Sequence, residues 1–211
     1  MMIRYGVFGM KVNIRKKPIT ILSGLLVILL YCIFTITSWA LYPEPYSPLT
    51  HYLSRLGNFD YSPLGAYFYN LGCILTGISL IPFFLSLKIW YTERKSQVLL
   101  LLSGQLIGVL SACALVMIGV FSEDQGALHM TASSTFFVLN FIVLIITNLA
   151  LLWHPQFVKL IALYGIAVCL LSLSFEIAIG GSIVEWFTVF GSLIFVALIS
   201  MNSLKLSEIA R

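Results

Sequence analysis

The sequence predicts an all-α, polytopic integral membrane protein: six transmembrane helices in one bundle, N-in and C-in, with a short helix in the first outer loop. Three observations carry this reading. The 211 residues are 60% hydrophobic and only 9% charged, with a mean hydropathy of +1.01. A soluble domain carries about 25% charged residues, so this chain lacks the polar residues to cover a water-facing surface, and lipid must be part of its solvent. Second, six apolar runs reach the roughly 20 residues that a bilayer-spanning helix needs. Third, Lys and Arg are segregated along the chain in the manner of topology signals.

The six runs are Ile19–Leu41, Leu64–Leu87, Val98–Phe121, Leu128–Leu152, Val158–Ile179 and Ile183–Leu204. The first follows a basic stretch, as a signal peptide would. It exceeds the h-region of about 7–15 residues that a cleaved signal carries, so it reads as an uncleaved signal-anchor. The expected organisation is a basic cytoplasmic N-terminus over 1–18, a membrane domain over 19–204 and a cytoplasmic tail over 205–211. Eleven of the twelve Lys and Arg fall in the N-terminus, the second and fourth connections and the tail; Arg55 alone falls in the first, third and fifth connections. The positive-inside rule then places both termini in the cytoplasm of a cell-membrane protein. Glu44, Asp60, Glu123, Asp124, Glu176 and Glu185 gather on the opposite, outer side. No basic stripe of the kind that binds nucleic acid is present. The four cysteines, Cys32, Cys73, Cys113 and Cys169, form no CxxC pair and read as small buried hydrophobes.

Within the runs, Gly104 and Gly108 form a small-xxx-small pair for close helix approach, and Pro82 is expected to kink the second helix. Asn70, Gln105, Asn140 and Asn148 are expected to bond between helices.

The first outer loop is the most informative segment. Ser47 followed by Pro48 reads as an N-cap with proline at the first helical position, and Gly57 as a terminator. A helix of two to three turns from Ser47 to Gly57 would set His51 and Arg55 on one face, with Leu49, Tyr52, Leu53 and Leu56 supplying apolar surface. The text Tyr-Ser-Pro-Leu-x-x-Tyr-x-x-x-Leu-Gly occurs at 46–57 and again at 61–72, with seven of twelve positions identical. The simplest account is two adjacent helices that begin with the same cap.

Ser54-Arg-Leu-Gly57, then Gly119-Val-Phe-Ser-Glu123 at the end of the third run, then His129 opening the fourth, resemble a prokaryotic six-helix family called domain of unknown function 998. With Glu185-Trp186 opening the last run, the pattern also looks like the eukaryotic Frag/DRAM/Sfk group, whose corresponding loop usually has an acidic residue where this chain has Arg55. The resemblance implies the fold and topology. The eukaryotic group is associated with lipid handling, including glycolipid-anchor remodelling.

The expected site is the outer polar cluster, with Ser47, His51, Ser54, Arg55, Glu123, His129, Glu176 and Glu185 as ligand-binding candidates. Arg55 is expected to pair with Glu176 or Glu185 and pin the loop across the bundle. The leading function is lipid binding, with Arg55 and His51 holding an anionic headgroup and membrane lipids as the partners. The alternative is a lipid-headgroup hydrolase or transferase in which His51 or His129 works with Asp60 or Glu185 as general acid and base. Ser47 or Ser54 as nucleophile lacks a Gly-x-Ser-x-Gly elbow. Zinc held by the two histidines with Asp60, Glu123 or Glu185 lacks a recognisable spacing, so no metal or cofactor is expected. A small-molecule transporter is a further alternative, without inverted repeats to support it. The sequence leaves the oligomeric state open.

Overall fold

The structure, a computed structural model, describes residues 2–4, 11–13 and 19–209. Arg15, Lys16, Lys17 and Arg211, which contribute to the basic-flank expectation, lie outside the described residues. Six helices are long and apolar enough to cross a membrane. They are α1 (Ile19–Ala40), α2 (Pro63–Ser86), α3 (Lys95–Val120), α4 (Ala127–Leu152), α5 (Lys159–Ala178) and α6 (Ser182–Ile209). The starts of all but α3 fall within a residue of expectation, and α6 runs to Ile209, five residues past the expected Leu204. Outside the bundle, Met2–Arg4 pairs antiparallel with Lys11–Asn13.

Each helix packs on its neighbours in the chain, and α6 returns to α1, closing a ring. Glycines set the closest approaches. A Cβ on Gly77 of α2 would sit 2.7 Å from the Ala112 carbonyl oxygen of α3, and one on Gly119 of α3 would strike the Asn70 carbonyl. Because those obstacles are backbone, Gly77→Ala is expected to cost about 1–3 kcal/mol through overpacking, read as a lower melting temperature in detergent. Gly104 and Gly108 do not serve one partner: Gly104 meets Thr147 of α4, and Gly108 receives the Phe84 ring of α2. Cys73 and Cys169 are buried as expected, but Cys113 is exposed on the bundle surface.

The polar residues of the helices divide by role. Gln105 Nε2 donates to the carbonyls of Phe84 (2.9 Å) and Leu85 (3.1 Å), satisfying groups at the end of α2 beyond Pro82. Asn140 donates to Ser192 Oγ at 3.2 Å, joining α4 to α6. Contrary to expectation, Asn148 bonds within its own helix, to the Leu144 carbonyl at 2.6 Å. Asn70 reaches the first loop instead of another helix, donating to the Gly57 carbonyl at 2.9 Å.

The ring has two ends. At one, a 3-10 turn over Leu87–Trp90 continues α2 and buries Trp90 completely. Its ring meets His154 edge-on at 5.0 Å and Phe157 at 4.8 Å, and its indole N–H donates to Ser203 Oγ of α6 at 3.1 Å. Burial, with Lys159 beside it, pushes the His154 imidazole down to about 4, so it packs as a neutral ring. At the other end lie the connections α1–α2, α3–α4 and α5–α6. There α5 loses its neighbours: every residue from Leu173 to Ile179 is exposed. Gly180 (φ 62°) and Gly181 (φ 86°) then reverse the chain into α6, a conformation that glycine adopts without a Cβ penalty.

Candidate functional site

The first connection forms one turn, breaks, and starts again. The carbonyl of Ser47 accepts the amides of Thr50 (3.1 Å) and His51 (2.9 Å), and its hydroxyl accepts the Leu49 amide at 3.3 Å. The expected continuous helix from Ser47 to Gly57 is not formed. Tyr52 is extended (φ −59°, ψ 144°), and a 3-10 helix begins at Leu53 and ends at Gly57. The cause lies outside the segment. The Leu53 amide, which a helix would direct to Leu49, donates instead to Glu185 Oε2 at 2.7 Å, and the Ser54 amide and hydroxyl also bond that carboxylate. The Tyr52 carbonyl is taken by the Tyr46 hydroxyl. Burial and the nearby Glu185 push the Tyr46 phenol well above the ordinary tyrosine value, keeping its proton in that bond. The repeated text therefore has two structures: at 61–72 the same residues open α2 with Pro63 in its first turn.

Once broken, the loop no longer sets His51 beside Arg55. His51 stacks on Tyr46 at 4.8 Å, and its carbonyl accepts the Trp186 indole N–H at 3.1 Å. Ser182 Oγ donates to the Pro48 carbonyl at 3.0 Å, so the start of α6 holds the loop at three points along 48–53. On the other side the loop is held by the α3–α4 connection. Asn58 Nδ2 donates to Glu123 Oε2, and the Phe59 amide donates to Asp124 Oδ1 at 3.2 Å. Slight burial works to raise the Asp124 carboxyl, but the Phe59 amide, the Ser122 hydroxyl and its own amide outweigh it and hold the group below the usual carboxylate value. Arg55 pairs with Glu123 (Nε to Oε1, 3.5 Å), not with Glu176 or Glu185 as expected, and its guanidinium lies 4.3 Å over the Tyr61 ring.

Beneath this strap is a cavity of about 590 Å³. Its polar lining includes Ser54, Arg55, Glu123, His129, Glu176 and Glu185, so six of the residues singled out in the sequence come together. Ser47, His51 and Asp60 do not line it; Asp60 is exposed, its amide turned back to Asn58 Oδ1 at 2.8 Å. The zinc grouping is not assembled: among the described residues no three His, Cys, Asp or Glu side chains are placed to hold a metal ion. The wall also includes Tyr52 of the loop, Gly181, and Met130, Ser133, Ser134, Phe137, Val138 and Phe141 of α4, with Val184 and Thr188 of α6. That α4 stripe follows the i, i+3, i+4 spacing of one helix face, running about 16 Å in depth from polar mouth to apolar floor. Met130 and Val138 are also exposed. The cavity thus shares a wall with the bundle's outer surface, beside the uncovered end of α5.

His129 differs from its neighbours. It is 5% exposed, and its Nδ1 lies 2.8 Å from the Phe121 carbonyl. A carbonyl only accepts, so Nδ1 carries the proton and Nε2 presents a lone pair in the neutral ring. Nε2 is buried without a partner, a state that buried polar groups rarely tolerate without a role.

The family described as Protein of unknown function (DUF998) matches residues 25–202, from the first turns of α1 to near the end of α6. The chain belongs to that family. Comparison with curated proteins and with solved structures returned no match. The span takes in the strap, the cavity and His129, so the site lies wholly within the family's part of the chain. Sequence reasoning missed Asn58 and Tyr61, which fix Glu123 and Arg55, and it missed Ser133, Ser134 and Thr188 in the wall. The signal for the two serines was present: they interrupt an apolar helix on the face that also carries Met130 and Phe137.

Proposed function

We propose that this protein binds a membrane lipid, with the headgroup in the cavity beneath the first loop and an acyl chain leaving along α4. The observation that carries the reading is the cavity itself: about 590 Å³, ionisable under the strap, apolar along Phe137, Val138 and Phe141, and bordered by exposed Met130 and Val138. A soluble solute needs no such apolar wall, whereas an amphiphile matches both halves. The resemblance to a group associated with lipid handling supports the same direction. The cavity end is assigned to the outer face of the cell membrane, and both termini to the cytoplasm, on the eleven-to-one distribution of Lys and Arg.

A lipid carrying a diazirine at mid-chain and an alkyne handle tests the reading in reconstituted protein. Cross-links are expected to concentrate between Met130 and Phe141, and Ser133→Trp, which places an indole in the cavity, should reduce them at least fivefold. Leu106→Trp on the exposed face of α3 should not. Cross-links spread evenly over the apolar surface and indifferent to Ser133→Trp would sink the proposal.

A second reading, a lipid-headgroup hydrolase or transferase, is favoured by one observation: the tautomer of His129 is fixed and its Nε2 is free, as a general base requires. The same incubation separates the two readings. Headgroup release that His129→Ala abolishes, with cross-linking retained, makes the site catalytic; intact lipid throughout leaves it a binding site.

A further inference from the structure

The cavity's ionisable side chains are mostly carboxyl groups. In the neutral ring, His129 Nε2 is a buried lone pair with no partner. Glu176 has no hydrogen bond or ion pair among the described residues, and it lines the same space. Glu185 takes the Leu53 and Ser54 amides, and a carboxylate has about four lone-pair sites in all, leaving room for another donor. Thr188 spends its proton on the Val184 carbonyl. Against these stand the Ser133 and Ser134 hydroxyls and Arg55, the one cation lining the cavity among the described residues, whose Nε faces Glu123 and whose plane covers the Tyr61 ring. Three carboxylates and one guanidinium therefore share a space bordered by apolar side chains. Glu123 and Glu185 are half-buried and Glu176 is exposed, so a headgroup that covers them must itself supply the pairing that water gives otherwise.

We infer that the headgroup bound here carries a primary ammonium, donating to His129 Nε2, Glu176 and Glu185. This rests on the lipid-binding reading and names its ligand class. The three N–H donors of an alkylammonium match three groups that each have a lone pair to spare, and its charge offsets the excess of carboxylates. A trimethylammonium brings the charge but no N–H, so it leaves Nε2 orphaned. An anionic headgroup, the expectation from sequence when His51 stood beside Arg55, meets two carboxylates beside a guanidinium whose charge Glu123 already offsets. A sugar headgroup supplies donors but no charge.

The test measures occupancy by native mass spectrometry of the full-length protein, with the four lipids offered in equal amounts. They are phosphatidylethanolamine, phosphatidylcholine, phosphatidylglycerol and a monogalactosyl diacylglycerol of matched acyl chains. Phosphatidylethanolamine is expected to bind at least tenfold more tightly than the other three. Glu176→Gln should cut that preference about fivefold while leaving phosphatidylglycerol binding unchanged or stronger, and His129→Phe should narrow the gap between phosphatidylethanolamine and phosphatidylcholine. Glu176 is exposed and makes no bond that folding depends on, so this variant should remain folded even where His129→Phe does not. Equal binding of all four, or a preference for phosphatidylglycerol or the galactolipid, overturns the ammonium assignment and leaves the lipid site standing. Failure of every lipid to bind overturns both.

Discussion

Glu185→Ala should release the first loop and open the chain to trypsin between Arg55 and Leu56. The Glu185 carboxylate accepts the Leu53 amide at 2.7 Å and the Ser54 amide and hydroxyl. Without it, two amides at the start of a 3-10 helix lose their acceptor while Leu53 and Leu56 are fully buried. Leaving a buried donor unsatisfied costs about 1–3 kcal/mol, so the strap should weaken by about 2–4 kcal/mol. Each 1.4 kcal/mol is tenfold in an equilibrium, so even 2 kcal/mol raises the open population about 30-fold. When opening is fast relative to cleavage, proteolysis follows that population. Arg55 is the sole trypsin site between Lys17 and Lys88, which makes the cut unambiguous on a gel. Glu185→Gln keeps an acceptor oxygen and should fall between wild type and alanine. Equal cleavage of wild type and Glu185→Ala would show that the loop is held by other contacts.

The second large effect belongs to the opposite end of the ring. Trp90 is fully buried, packs against His154 and Phe157, and bonds Ser203 of α6; its carbonyl accepts Gln97 Nε2 at 2.9 Å. One side chain thus joins the end of α2, the α4–α5 connection and the last helix. Trp90→Ala should cost about 3–5 kcal/mol from lost burial and the cavity left behind. For a chain of this size that lowers the melting temperature in detergent by roughly 6–20 °C. Trp90→Phe keeps most of the packing and forfeits mainly the indole bond, so it should lose about 1 kcal/mol for that bond and less than alanine overall. A Trp90→Ala protein that melts with wild type would mean that this end is not a packed core.

The six helices were legible because bilayer thickness imposes a length and an apolar composition on each of them, and nothing distant can change that. The loop was not, and Tyr52 shows why. From local text, Ser47-Pro48 through Gly57 satisfies the rules for a helix. What breaks it is a carboxylate 132 residues further along the chain, at Leu53, and no local rule contains that contact. The same break moved His51 out of the site and left Arg55 in it. Arg55 itself was read correctly as the loop's cation but given the wrong partner, since Asn58 and Tyr61, which place Glu123 and Arg55, carry no signal on their own. His129 was visible as a histidine at a helix start. That its Nδ1 is spent on the Phe121 carbonyl, leaving Nε2 free, depends on the path of the chain between α3 and α4.

The strap over the cavity also has a history within each molecule. Its anchors Ser182, Glu185 and Trp186 are made more than 130 residues after the segment they hold, Pro48 to Leu53. During synthesis at about 5–20 residues per second, the first loop must wait several seconds or more with its amides unmet before α6 arrives. For that interval the Leu53 amide lacks its carboxylate, and the cavity is itself unfinished, since Val184, Glu185 and Thr188 of α6 form part of its wall. Closure of the strap is then a report that α6 has been inserted: the cover over the cavity is in place only once the helix that anchors it has arrived.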